Sequence, residues 1–203
     1  MTNPRLLLTL SGVLGVAAIG GWSVAIAQHR RCADVTADLA ARLKHGAVFD
    51  DDTGLLNRAG TTLLAGRIVS IARRDSDAVS GALVHILPPA GRTQVTTEDA
   101  LAVAEASQLV FRSGDAVGRI ADDAIMVVGK GPGFKPATVE SRLAAQMLAM
   151  APPDESLPRV IVAVGVLHPW DEGALPELEH KLAEDLKVRL AVSGLTGPRG
   201  VAD

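Results

Sequence analysis

The most informative segment of this chain is Arg112-Ser-Gly-Asp115-Ala-Val-Gly-Arg119-Ile-Ala-Asp-Asp123-Ala-Ile125, which continues into the apolar run Met-Val-Val-Gly129. Two short apolar stretches flank the acidic pair Asp122-Asp123, and this arrangement predicts two strands joined by a tight turn. The carboxylates at the tip of such a hairpin can hold a metal ion or face a phosphate-bearing ligand. The segment therefore predicts both a sheet and a candidate site.

The apolar patterns around this hairpin predict an α+β domain, with helices packed on the faces of a sheet. One predicted helix places Leu101, Ala104 and Leu109 on one side. In chain order, the predicted elements are a helix ending near Arg74, a strand over Ala82–Leu87, a helix from Glu98 to about Phe111, strands over Ala116–Ile120 and Ala124–Val128, a helix from about Ala137 to Met150, a strand over Arg159–Leu167 and a helix over Leu175–Leu190.

Two motifs resemble those of GGDEF domains, the diguanylate cyclase family. The first is Phe49-Asp-Asp-Asp-Thr-Gly-Leu-Leu-Asn-Arg58, which resembles the family's entrance motif but has Asp52 where the family has an apolar residue. The second is Arg112-x-x-Asp115 followed by positions 121–125, where the family has Gly-Gly-Asp/Glu-Glu-Phe. The resemblance covers about residues 49–190 and implies a central, mainly antiparallel, five-stranded sheet related to nucleotidyl cyclase and ferredoxin-like folds.

The catalytic part of the resemblance is degenerate. Asp123 retains the first acidic position of the signature, whereas Ala124 replaces the second and Asp122 replaces a glycine. The family also takes a carboxylate from the end of its first strand, and His85-Ile-Leu-Pro-Pro89 offers no acid there. We therefore assign no catalytic residue, and Asp123 is the only acid that matches the signature. Asp123 and Asp122 remain candidate metal ligands, and Mg²⁺ is expected only if a residual nucleotide site exists.

The resemblance also implies a ligand site. In the family, the Arg-x-x-Asp pair forms the inhibitory site for cyclic di-GMP, so Arg112 and Asp115 are candidate ligand-binding residues. Arg119 matches the arginine that precedes the family's glycines. An arginine suits this role because its planar guanidinium donates paired hydrogen bonds and stacks on bases. The alternative is a simple ion pair or a solvated turn.

The leading functional hypothesis is a catalytically inactive, membrane-anchored GGDEF-like protein that acts in cyclic di-GMP signalling, as a nucleotide receptor or a protein-interaction module. The expected partners are cyclic di-GMP, a second copy of the chain or another protein. An active cyclase that joins two GTP molecules and a purely structural membrane protein are the alternatives. Nucleic acid is excluded as a partner, because the net charge is −3 and aromatic residues make up only 2% of the sequence.

The amino-terminal residues predict a membrane anchor. Residues 6–27 contain no charged side chain and are long enough for a helix to cross a bilayer, after a short segment of residues 1–5. A cleaved signal peptide is the alternative. The basic residues that follow place the rest of the chain in the cytoplasm. The expected organisation continues with a linker helix over 28–46, the GGDEF-like domain over 47–193 and a loose tail over 194–203.

The glycine-rich segment Gly129-Lys-Gly-Pro-Gly-Phe-Lys135 is predicted to be an ordinary connecting loop. It lies between a strand and a helix, as a phosphate-binding loop would, but it lacks the Gly-Lys-Ser/Thr ending and contains a proline. His85 has no partner at metal-ligand spacing and is predicted to be a strand residue.

Overall fold

Residues 48–152, 156–171 and 175–194 are described by the computed structural model, and they contain four strands and four helices. The sheet has the order β2-β3-β1-β4, and every neighbouring pair is antiparallel. The elements are α1 (Arg58–Asp75), β1 (Val79–Leu87), α2 (Thr97–Val110), β2 (Ala116–Ala121), β3 (Ala124–Lys130), α3 (Pro136–Met150), β4 (Arg159–Leu167) and α4 (Leu175–Val192). The predicted α+β class and antiparallel sheet are confirmed.

The helices cover both faces of the sheet, and β3 shows how the sequence supports this. Ile125 and Val127 pack in a core with α2 and α3, whereas Met126 and Val128 pack in a second core with α1 and α4. Side chains alternate along a strand, so a strand buried on both faces must be apolar at nearly every position. This is why Ala124–Gly129 has no polar residue.

The expectation of a fifth strand is wrong for the described residues, which form four strands. Beyond β4, side chains take the place that a further strand would have. The outward N–H groups of Val162 and Val164 donate to the carboxylates of Glu140 and Asp185, each over 2.8 Å. Lys181 Nζ donates to the carbonyl of Val166 over 3.3 Å. Side chains thus satisfy backbone groups that a further strand would pair with, which also blocks edge-to-edge association.

The segment before α1 packs against the other edge of the sheet. Leu56 forms an isolated parallel bridge with Gly118 of β2. A Cβ atom at Gly118 would overlap Thr61 Oγ1 and lie 2.8 Å from the carbonyl oxygen of Leu56, so only glycine allows this approach. The helix cap is Asn57, whose side chain accepts the Gly60 N–H. Asn57 belongs to the entrance motif, which therefore supplies the cap of α1.

The predicted anchor (6–27), the linker helix (28–46) and the tail beyond Gly194 lie outside the described residues. Within the part of the chain that the structure describes, none of the helices combines the length and hydrophobicity that crossing a bilayer requires.

Candidate functional site

Arg112 and Asp115 lie in the tight turn that joins α2 to β2. Asp115 Oδ2 accepts the backbone N–H of Arg112 over 3.0 Å, and the N–H of Asp115 donates to the Arg112 carbonyl over 3.0 Å. The aspartate therefore closes the turn from its carboxyl end, through both its side chain and its backbone N–H. The Arg112 side chain takes no part in this closure and is exposed.

A cavity of about 250 Å³ opens beside this turn. Its floor is the end of β3 and the glycine-rich loop that follows, and Gly129 allows the close approach because a Cβ atom there would overlap Asp115 Oδ1. Phe111 and Phe134 meet edge to face at one wall, with ring centroids 5.5 Å apart. The polar side chains of the lining are Ser80, Arg112, Asp115, Lys130 and Arg142.

The cations of this cavity differ in how they are neutralised. Lys130 is held by two carboxylates, Asp75 at 2.7 Å and Asp77 at 2.8 Å. The hydrogen bonds that Lys130 donates to both carboxylates raise the pKa of Lys130. Arg112 and Arg142, by contrast, have no ion pair with any residue in the described ranges. Two arginines that form no ion pair within the described residues therefore line one small cavity, and arginines in this state can bind an anion such as phosphate.

Arg119, the third residue predicted for the ligand site, belongs to a different cluster. Its guanidinium lies 3.3 Å from Asp50 Oδ1, 3.0 Å from Asp52 Oδ2 and 3.8 Å from Asp122 Oδ1. The Arg119 side chain is only 10% exposed. It thus fastens the entrance segment to the hairpin tip and does not line the cavity of Arg112 and Asp115. We call this cluster the Arg119 clasp.

The clasp shifts the pKa values of Asp50 and Arg119. Partial burial alone would raise the pKa of Asp50, but hydrogen bonds from Thr53 and from Arg119 lower it overall. Burial opposes the charge of Arg119, yet its hydrogen bonds to Asp52 and Asp50 raise the pKa of Arg119 overall. Both groups are therefore held in their charged forms.

The hairpin tip offers a poor metal site. Asp122 and Asp123 form the two-residue turn, and the Asp122 side chain is fully exposed. Asp123 Oδ2 lies 3.8 Å from Nδ1 of His85, which is buried at the end of β1 as the predicted strand residue. No group of three or more His, Cys, Asp or Glu side chains suited to a metal ion occurs within 48–152, 156–171 and 175–194. Asp122 and Asp123 as metal ligands stay a prediction.

Two parts of the cavity were not predicted from the sequence. The segment 129–135 was expected to be an ordinary connection, and its residues Gly129–Phe134 line the cavity. The available signal was its position between a strand and a helix, as for a phosphate-binding loop. No sequence pattern links Arg142 to this cavity, because it lies on α3, far along the chain from Arg112. Only the fold places the two residues in one cavity lining.

Comparison with known proteins identifies the fold. No protein-family profile and no curated protein matches the chain. The diguanylate cyclase SiaD from Pseudomonas aeruginosa, solved in complex with its activator SiaC, matches with a TM-score of 0.57 at 16% identity, over 93% of this chain and 80% of that one. The coiled coil and GGDEF domain of DgcB from Caulobacter crescentus, in complex with c-di-GMP, matches with a TM-score of 0.57 at 15% identity, over 83% and 95%. The GGDEF domain of FimX from Pseudomonas aeruginosa gives 0.53 at 16%, over 73% and 96%. The chain therefore has the fold of GGDEF domains.

Proposed function

We propose that this GGDEF-fold chain is a receptor for cyclic di-GMP, which it binds at the cavity of Arg112, Asp115 and Arg142. The observation that carries the proposal is that Arg112 and Arg142 line one cavity and have no ion pair among the described residues. The DgcB structure, solved with c-di-GMP, supports the choice of ligand by analogy of fold.

Each part of the cavity has a role in this proposal. The two arginines bind a phosphate through charge-assisted hydrogen bonds, which are stronger than neutral ones. Asp115 uses one oxygen for the Arg112 N–H and retains acceptor capacity for the N–H groups of a guanine edge. At about 250 Å³ the cavity is smaller than the ~300–1,000 Å³ that encloses a drug-sized ligand, so it receives one phosphate and one base edge while the rest of the dinucleotide lies outside.

We further propose that the chain does not make cyclic di-GMP. Phosphoryl transfer from GTP needs carboxylates that hold Mg²⁺ near the triphosphate. The end of β1 supplies His85 instead of an acid, and the hairpin tip supplies Asp123 with Ala124 after it. Incubation of the 203-residue chain with GTP and Mg²⁺ is expected to give no cyclic dinucleotide by chromatography. Product formation that is lost in Asp123→Asn would restore the cyclase alternative.

Calorimetry tests the receptor. Titration of cyclic di-GMP into the 203-residue chain is expected to give a dissociation constant in the micromolar range. Arg112→Ala and Arg142→Ala should each weaken binding at least about tenfold, since each removes charge-assisted bonds of about 1.5–3 kcal/mol. Arg67→Ala is the matched control, because Arg67 is exposed on α1 and outside the cavity.

Two results would reject the receptor. One is the absence of binding up to about 100 μM ligand. A dissociation constant of that size corresponds to a binding free energy of only about 5–6 kcal/mol. The other is equal binding by the wild-type chain and the Arg112→Ala variant. Either result would leave the protein-interaction or purely structural hypothesis, with cyclic di-GMP removed as a partner.

Membrane attachment through residues 6–27 is a separate proposal. It rests on the uncharged 22-residue length of that segment. Carbonate extraction of membranes from expressing cells is expected to retain the full chain and to release a variant that lacks residues 1–27. Release of the full chain, or loss of the segment by cleavage, would contradict the anchor.

A further inference from the structure

An apolar groove lies between α2 and α3, at the end of α3 and the start of β4. Its volume is about 530 Å³, and the apolar side chains of its lining include Leu101, Met147, Met150 and Leu157. Leu101 and Met150 are 36% and 39% exposed. We call this surface the α2–α3 groove. It shares no lining residue with the cavity of Arg112 and Asp115.

The groove is exposed because α2 buries small residues instead of its leucines. Ala100, Val103 and Ala104 face the sheet and are fully buried. Leu101 is left on the side of the helix that faces α3 and solvent. Large apolar side chains at such a position, beside a concave surface, are typical of a site that another polypeptide covers.

Two carboxylates border the groove, and they set the charge of its partner. Glu98, Leu101 and Glu105 follow one another at i, i+3 and i+7, so they share one face of α2. At ~1.5 Å per residue the two glutamates are about 10 Å apart along the helix axis. Neither has an ion pair among the residues that the structure describes. Arg92, also in the lining, is neutralised by Asp99 at 2.6 Å.

We propose that the α2–α3 groove binds an amphipathic helix of a partner protein, with apolar anchors on one side and basic residues two turns apart. Helix-in-groove recognition uses apolar anchors at i, i+3, i+4 and i+7, and an exposed methionine such as Met150 adapts to such anchors. Lysine or arginine at i and i+7 of the partner matches the spacing of Glu98 and Glu105.

The charge argues against the other occupants. A symmetric dimer through this groove would bring identical acidic rims together, and like charges across an interface are unfavourable. Anionic lipid headgroups and nucleic acids would be repelled for the same reason. A cationic helix is the occupant that satisfies both the apolar floor and the acidic rim.

The test uses a synthetic amphipathic helix of about 18 residues, which makes five turns, with lysines at i and i+7 and leucines between them. Its binding to the 203-residue chain in zwitterionic nanodiscs is measured by fluorescence anisotropy, with empty nanodiscs as the blank. The wild-type chain should bind this peptide. Its affinity for a second peptide, with glutamates in place of the lysines, should be at least about tenfold lower. The variant Glu98→Lys/Glu105→Lys should reverse that preference.

A matched control separates the groove from the overall charge. Asp51→Lys/Glu179→Lys changes the net charge equally, at carboxylates outside the groove, and should leave the affinity within about twofold. Because lysine at Glu98 opposes the dipole of α2, Glu98→Gln/Glu105→Gln serves as the second variant if the first does not fold, with about tenfold weaker binding expected. Three outcomes would overturn the proposal. The wild-type chain does not bind the lysine peptide, a groove variant binds it as tightly as the wild type does, or the control variant weakens binding as much as the groove variant does.

Discussion

The Arg119 clasp should be the main electrostatic contribution to the stability of the hairpin tip, and Arg119→Ala tests this. Hydrogen bonds between charged groups contribute about 1.5–3 kcal/mol when shielded from solvent. Asp52 is 55% exposed and Asp122 is fully exposed, so both are discounted, whereas Asp50 is 23% exposed. We expect Arg119→Ala to lower the free energy of unfolding by about 2 kcal/mol, and the midpoint temperature by about 4–8 °C.

Urea denaturation followed by circular dichroism measures this loss, and a double-mutant cycle assigns it. Arg119→Ala with Asp50→Ala should give a coupling energy of about 1–2 kcal/mol, and Arg119→Ala with Asp52→Ala one below about 0.5 kcal/mol. Arg119→Lys keeps the charge but not the planar fork that reaches both carboxylates, so it should lose about half as much. If Arg119→Ala stays within about 0.5 kcal/mol of the wild type, the clasp contributes no more to stability than an exposed ion pair and the reasoning is refuted.

Because the pKa of Asp50 is lowered from its ordinary value of 3.8, its ionised form stabilises the fold above that pH, and the stability difference between wild type and Asp50→Asn should shrink as the pH falls through the lowered pKa. Gly118→Ala should cost about 3 kcal/mol in urea denaturation because of the overlap at α1, whereas Gly66→Ala, which meets open space inside α1, should stabilise by about 0.5–1 kcal/mol. Glu140→Ala/Asp185→Ala should free two N–H groups of β4 and cause concentration-dependent association in light scattering, whereas Glu140→Gln retains an acceptor oxygen and should not.

The periodic elements could be predicted from the sequence because most strands are apolar and bounded by turn residues. The predicted range of β4, Arg159–Leu167, agrees with the structure. For β1 the prediction began at Ala82, three residues late, because Ser80 and Gly81 interrupt the apolar pattern. The structure explains the glycine: a Cβ atom at Gly81 would lie 3.0 Å from the side chain of Leu178 on α4. Close helix packing here requires a residue that weakens the strand signal.

The helix α2 shows where hydrophobicity misleads. Their spacing predicts that Leu101, Ala104 and Leu109 share one buried side, yet only Ala104 is buried, while Leu109 is 63% exposed. α2 packs against the sheet through alanines and one valine. Their small side chains let the helix approach the sheet closely. A hydrophobicity pattern weights leucine above alanine, so it selects the wrong face when a helix packs through small residues.

The candidate site could be predicted only where it is local in sequence. Arg112 and Asp115 form one turn, so three residues of spacing were enough to find them. Arg142 lies on α3 and lines the same cavity. Arg119 does not line the cavity but contacts a carboxylate cluster that includes Asp52, 67 residues earlier in the chain. Both facts depend on how α3 and the entrance segment dock on the sheet, which no local pattern encodes.

The clasp and the cavity lie at different places along β2, so Arg119 and Asp115 should act independently. Asp115 precedes β2 and Arg119 lies four residues further, so at ~3.3 Å per residue about 13 Å separates them along the strand. The guanidinium of Arg119 is already paired with the carboxylates of the clasp. It is therefore not available to bind a ligand in the cavity. We therefore expect Arg119→Ala to change the affinity for cyclic di-GMP by less than about twofold in calorimetry, although it lowers stability, because sites this far apart with no shared partner behave additively. A tenfold loss of affinity in Arg119→Ala, measured on folded protein, would instead return Arg119 to the ligand site that the sequence pattern predicted.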